Sequence, residues 1–422
     1  MSVKLQLFIL FALLVNSQFA NAYNFKIKDG YASSIFGTSI ENKATIEPAP
    51  FTKGELIIET KAEKVPQNFW FNKNLRYAKA IQEGEAPLAI LIAGTGGNHL
   101  SPKVKLMASN FYNMGYSVVT LPSPSHSNFI VAASSNSSVG GIKQDIDDLK
   151  NVVLQISKDL KANDNAQITN YVVGGYSLGA AHSAFLSYYA DKDENYPIKF
   201  SKVLMVNPPY DILESAIKID KMFVEHVGNN IKDLKAFFES VYSTIAETHQ
   251  QLGGIEVGPE IFLEAYKRKN IPNEDIKAAI GTAFRFSSAD LVYSVDVMRR
   301  MDVIVPPNKE IGEYDVLRPY YIKSLGYGFE KYANDMLTQI YDKPLSQLSE
   351  ETSMRAIESY LANSDKIYLM HNANDFILKD GDINYFKNVF GDRAVIYPYG
   401  GHCGNMDHKD SIAYINKQFK LN

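Results

Sequence analysis

Continuous apolar runs and helical stripes alternate through the first half of the chain. Residues 88–93, 118–121 and 203–206 are apolar at nearly every position, and 168–173 ends in Val172-Val173. Consecutive apolar residues in short runs suit strands covered on both faces, as in a buried parallel sheet. Helical patterns lie between these runs. Residues 103–114 form one. Ile142, Ile146, Leu149, Val153 and Ile156 recur at the spacing of one helix face, and a helix is expected from Leu178 to about Tyr189. This alternation predicts a mostly parallel sheet flanked by helices. Upstream, 56–59 and 68–71 read as two strands of a hairpin at the sheet edge. The Ser- and Asn-rich stretch 123–138, beginning beside Pro122 and Pro124, reads as a loop.

The rhythm changes after Asn207-Pro208-Pro209. From 210 to 363 the pattern is helical, with one stripe at Ile212, Ala216, Ile219 and Phe223. A second runs through Ile231, Leu234, Phe238, Val241 and Ile245. Gly253-Gly254 and Pro259 interrupt it, and Asn273 is placed to cap the next helix. Strand-like runs resume at 367–370 and 394–397, and a helix at 409–419 closes the chain. Resumption of the sheet pattern favours a helical cap, 210–363, inserted into a core made of 23–209 and 364–422. With 422 residues the chain has room for both.

The first 22 residues stand apart. Lys4, the apolar run 5–15 and the small residues of Ala20-Asn21-Ala22 have the form of a secretory signal peptide. The expected mature protein begins at Tyr23 and is exported, to the periplasm or beyond. The apolar run is short for a bilayer span. Net charge is −4 with acids and bases interspersed, which argues against a nucleic-acid partner. Cys403 is the only cysteine, so no intrachain disulfide can staple the fold.

The chemistry concentrates at Gly175-Tyr176-Ser177-Leu178-Gly179, between an expected strand and an expected helix. Glycines on both sides of a serine allow a sharp turn without Cβ collisions and lift Oγ into a cleft. A serine hydroxyl needs a base, and the base needs an orienting partner. Asp375 follows the 367–370 strand, and Pro398-Tyr399-Gly400-Gly401-His402 follows the 394–397 strand. Asp380 and Asp382 compete with Asp375, which is favoured because it falls in the turn just after its strand. His182, one turn past the serine, reads as structural, as does His371. His99 reads as a solvated loop residue. Cys403 reads as a small buried side chain. No cluster has metal-ligand spacing, and Gly94-Thr95-Gly96-Gly97 lacks the spacing and lysine of a phosphate loop. No metal and no cofactor is expected.

The elbow at 175–179, Asp375, the Gly400-Gly401-His402 segment and the loop Ala93-Gly94-Thr95-Gly96 together resemble the α/β-hydrolase superfamily, over the core but not the cap. The resemblance implies an α/β-hydrolase fold with Ser177 as nucleophile, His402 as general base and then acid, and Asp375 as its orienting group. It also implies an oxyanion hole from the backbone amides of Leu178 and either Thr95 or Gly96. Many members carry His where this chain has Ala93, which leaves the loop donor open between those two. The expected activity is cleavage of a carboxylic ester in a small or lipid-like acyl substrate. Peptidase, lipase and acyltransferase activities share such a core, and substrate choice lies in the cap. A binding protein on a retired hydrolase fold is the non-enzymatic alternative. The amphipathic cap helices are compatible with transient contact at a membrane surface.

Overall fold

The computed structural model describes residues 23–58, 61, 64–228, 231–251, 259–268 and 271–421. Residues 1–22, the expected signal peptide, lie outside these residues, as do Glu59, Gly253-Gly254 and the side chains of Ile231 and Ile245.

The strands are β1 (Thr52–Leu56), β2 (Leu75–Ala80), β3 (Glu85–Ile92), β4 (Ser117–Leu121), β5 (Gln167–Tyr176), β6 (Phe200–Val206), β7 (Ile367–Asn372) and β8 (Ala394–Tyr397). They form one eight-stranded sheet in the order β1-β2-β4-β3-β5-β6-β7-β8. β2 pairs antiparallel with β1 and with β4, and every pairing from β4 to β8 is parallel. Each central strand is apolar on both faces for a reason visible in the packing. Ile90, Ile92, Val173, Val203 and Met205 pack under the helices at 142–163 and 178–192. Their neighbours Ala89, Leu91, Val172, Leu204 and Val206 pack under those at 102–113 and 409–419.

Several local expectations need correcting. Of the strand expected at 56–59 only Leu56 is strand, as the last residue of β1, and residues 57 and 58 are not. Residues 68–71 are not a strand but part of a 3-10 segment, Gln67–Asn72. Only Phe69 of the three aromatics is buried, while Trp70 and Phe71 are exposed. The polar residues around them are used sideways, with Asn68 Nδ2 donating to the Tyr293 hydroxyl at 3.0 Å. The edge hairpin is instead β1 with β2. The stretch 123–138 is not wholly loop either. It holds a short helix, α1 (Ser127–Ala132), buried along its length and capped by the His126 imidazole, which accepts from the Asn128 N–H. Serine and asparagine masked the apolar Phe129-Ile130-Val131-Ala132.

The helices flanking the sheet are α2 (Ile142–Asn163) and α3 (Leu178–Lys192). Between β6 and β7 no strand of the sheet occurs among the described residues. The segment holds α4 (Ile212–His226), α5 (Ile231–Gln251), α6 (Pro259–Lys267), α7 (Asn273–Arg299) and α8 (Arg318–Lys331). Asp211 caps α4 by accepting from the Glu214 N–H at 2.9 Å. At α7 the cap position is Pro272, and Asn273 is the first helical residue rather than the cap. These helices have their own core, where Leu213, Phe284, Leu291, Val295, Phe329 and Met336 meet Ile130 and Val139. No helix of the described residues is long and apolar enough to cross a membrane.

A buried ion pair ties three of these helices together. Arg285 on α7 meets Asp220 on α4 at 2.9 Å, and both side chains are almost wholly buried. Arg285 also donates to the Leu325 carbonyl on α8, and Asp220 accepts from the Glu330 N–H. Removing one partner strands a buried charge, which costs about 3 kcal/mol or more. Arg285→Ala is therefore expected to lower stability by about that amount in urea unfolding, and an unchanged midpoint would contradict it.

Candidate active site

Ser177 sits between the end of β5 and the start of α3, with φ 55° and ψ −127°. Such a left-handed conformation is costly for a residue with a side chain and persists only where the surroundings impose it. Here the surroundings are backbone. A Cβ on Gly175 would lie 2.4 Å from the Gly179 carbonyl carbon, and one on Gly179 would lie 2.2 Å from the Ile92 oxygen. The Ser177 N–H donates to the Val206 carbonyl at 2.8 Å, tying the corner to the end of β6.

The structure brings Ser177, His402 and Asp375 together, although they come from three strand ends. His402 Nε2 is 2.8 Å from Ser177 Oγ. His402 Nδ1 is 2.9 Å from Asp375 Oδ2 and 3.2 Å from Oδ1. The Asp375 side chain is fully buried and that of His402 is 15% exposed. Asp380 and Asp382 lie outside this line; Asp382 accepts from the Lys379 N–H instead.

The electrostatics follow from burial and the groups beside the imidazole. Burial alone would push the His402 imidazole below its ordinary 6.5, but Asp375, with the neighbouring Cys403, overrides this and raises it well above. Burial likewise favours a neutral Asp375, yet His402, its hydrogen bond and His371 hold the carboxyl below its ordinary 3.8.

Residues that the sequence reading passed over hold this pair in place. Asn207, directly after β6, donates from Nδ2 to Asp375 Oδ2 at 2.8 Å. The Ile377 N–H donates to Oδ1 at 3.1 Å. Asn372 donates to the Gly401 carbonyl at 2.7 Å and exchanges two amide bonds with Asn405. Asn374 accepts from the Gly401 N–H, and Ser34 accepts from the His402 N–H at 2.6 Å. His371 is wholly buried, with Nε2 against the Pro208 carbonyl at 3.0 Å, and burial lowers its pKa. The only signal for these roles was the density of asparagines around the strand ends.

The oxyanion candidates separate. The Gly96 N–H donates to Ser125 Oγ at 2.9 Å and is committed. The Thr95 N–H makes no hydrogen bond among the described residues, and the Leu178 N–H stands in the first turn of α3, where a helix leaves its donors free. Both residues border Ser177, since a Cβ on Gly94 would lie 3.1 Å from that of Ser177.

A narrow pocket opens from Ser177 and Thr95 towards α4 and α7, walled by Leu213, Ile219, Phe284 and Leu291. Its cavity volume is about 50 Å³. His182 and Asp145 line its wall; His99 does not. Cys403 is buried. Among the described residues no group of three or more His, Cys, Asp or Glu side chains is arranged to hold a metal ion.

The parallel sheet, the strand–serine–helix corner and the inserted cap give this chain an α/β-hydrolase fold. No family model and no curated protein matches it. Among solved structures, an esterase of Pyrococcus furiosus aligns with 11% identity and a TM-score of 0.41, over 94% of this chain and 98% of its own. A membrane phospholipase A, a bacterial virulence factor, aligns with 12% identity and a TM-score of 0.43, over 98% and 97%. A structure of fungal esterases from Rhizomucor miehei aligns with 12% identity and a TM-score of 0.42, over 88% and 83%. Likenesses this distant carry nothing about substrate or mechanism.

The coupling has a measurable sign. With Asp375 replaced by Asn, burial remains and the countercharge is lost. The His402 imidazole, followed by proton NMR, is therefore expected to titrate above 6.5 in the native protein and markedly lower in Asp375→Asn. The same shifts set a stability window. The raised histidine stabilises fully below 6.5 and loses this as pH rises through its folded value. The depressed aspartate stabilises above 3.8 and loses this as pH falls. The native protein is expected to exceed Asp375→Asn in stability most between these two values, as read by urea midpoints across pH; a gap that widens towards alkaline pH would contradict the coupling.

Proposed function

We propose that this chain is an exported serine hydrolase that cleaves carboxylic esters through an acyl-enzyme. The observation that carries the reading is the unbroken hydrogen-bonded line from Ser177 Oγ through His402 to Asp375. In attack, Oγ bonds to the ester carbonyl carbon as its proton passes to His402 Nε2. Asp375 stabilises the imidazolium and keeps Nδ1–H directed towards itself. The carbonyl oxygen becomes an oxyanion, for which the Thr95 and Leu178 amides are the available donors, at the positive end of α3. Each such donor is worth roughly 3 kcal/mol in the barrier. The tetrahedral intermediate collapses, and the alkoxide leaves with the proton held on Nε2. Water then attacks the acyl-enzyme by the same route, with His402 as base, and releases the acid.

The narrow pocket supports a substrate with one slim acyl chain, small or lipid-like, rather than a bulky acid. Export rests on residues 1–22 alone. Hydrolysis of p-nitrophenyl esters is expected to favour short unbranched acyl chains over aromatic or branched acids. Ser177→Ala is expected to reduce turnover roughly 10⁴-fold or more while leaving the fold intact. A fluorophosphonate should modify Ser177 and no other residue, as mapped by mass spectrometry. Folded protein that neither takes the label nor turns over esters would leave a binding protein as the reading, and turnover of peptides with a free N-terminus in preference to esters would make it a peptidase.

A further inference from the structure

The pocket that begins at Ser177 contains a polar pair that the hydrolytic steps do not use. Asp145 lies in the first turn of α2 and His182 in α3, five residues beyond Ser177. Five residues of helix rise about 7.5 Å, so His182 lies about that far from the nucleophile along α3. The two side chains are 2% and 1% exposed, and His182 Nε2 faces Asp145 Oδ2 at 3.6 Å. Oδ2 also accepts from the Gly140 N–H at 2.9 Å. The other atom of each group is buried without a partner among the described residues: Asp145 Oδ1 and His182 Nδ1. Both residues line the pocket, whose walls are otherwise mostly apolar.

In the neutral tautomer whose proton faces the carboxylate from Nε2, Nδ1 keeps a lone pair. The two unpartnered atoms are then both acceptors. An unpaired buried acceptor costs on the order of 1–3 kcal/mol, so such a site favours a ligand that brings its own donor. A pocket of this kind rejects an analogue lacking the donor far more strongly than an apolar pocket rejects one extra methylene. Resting on the hydrolase reading above, we propose that the preferred acyl chain carries a hydrogen-bond donor, a hydroxyl or an amino group, towards its far end, and that Asp145 and His182 recognise it.

The test separates binding from turnover. For binding, Ser177→Ala protein is titrated by calorimetry with hexanamide, 6-hydroxyhexanamide and 6-aminohexanamide. At least one donor-bearing amide is expected to bind tenfold or more tightly than hexanamide, and this preference is expected to collapse when Asp145→Asn or His182→Gln is added. Whether the hydroxyl or the amino compound binds better identifies the donor. Equal binding of all three, no binding of any, or a preference that survives both substitutions would overturn the inference. For turnover, native protein is assayed on p-nitrophenyl hexanoate and 6-hydroxyhexanoate, with at least a tenfold gain in kcat/KM expected for the hydroxy ester. Turnover of both esters at equal kcat/KM would remove the specificity and keep the hydrolase. Selective amide binding in a protein that turns over no ester and takes no fluorophosphonate would remove the hydrolase and keep the subsite. Should either substituted protein fail to fold, the ligand comparison in Ser177→Ala alone still decides.

Discussion

A buried carboxylate governs the site. Asp375 has no exposed side-chain surface, and a charge in that position is tolerable only because several groups answer it. The Asn207 amide, the Ile377 N–H and His402 Nδ1 do so. The consequence reaches the serine. An imidazole buried this deeply would resist protonation if it stood alone. Asp375 makes the imidazolium accessible, and in the proposed mechanism the base that takes a proton from Ser177 passes through that form. Removing the carboxylate would leave the distances in place and the chemistry without its charge partner.

That charge arrangement depends on a loop of unusual backbone. Gly400 and Gly401 have φ of 137° and 56°, and Cys403 has φ 60°. A Cβ on Gly401 would lie 2.1 Å from the Gly30 oxygen, so the segment after the expected leader packs directly on the histidine loop. Ser34 accepts from the His402 N–H while donating to the Gly30 carbonyl. Tyr23 receives a bond from Asn405, donates to the Tyr399 carbonyl, and stacks on Tyr397 at 4.5 Å between ring centroids. The first described residues thus buttress the loop from outside while the asparagines hold it from within. A net of neutral amides suits this task, since it fixes geometry without adding a charge that would compete with Asp375 for His402.

What was legible in the sequence follows from what local physics can encode. The parallel sheet was readable because strands covered on both faces must be apolar throughout, as at 88–93 and 203–206. The corner at Ser177 was readable because backbone collisions demand glycine at 175 and 179. The edge was not. Phe69-Trp70-Phe71 has strand-like composition, but its burial does not alternate, and its flanking asparagines bond sideways. Asn207 was illegible because an asparagine before two prolines reads as a turn; its bond to Asp375 spans 168 positions. The choice between Thr95 and Gly96 also waited on a distant partner, Ser125.

His182 marks the boundary between the two kinds of information most sharply. From sequence it is one more polar residue in a helix of small side chains, and a structural role was the natural reading. Whether it borders a substrate depends on which elements cover the other side, and those come from 139–145 and from the cap. The cap core reaches into that same region, since Val139 packs with Leu337, Phe329 and Tyr332, whose hydroxyl donates to the Val139 carbonyl at 2.7 Å. The pocket floor and the cap are therefore one packed unit. Gly140, whose N–H holds the Asp145 carboxylate, lies directly against Leu337 of the cap. Substrate choice would then be encoded neither in the corner nor in the cap alone, but in the seam where the two meet.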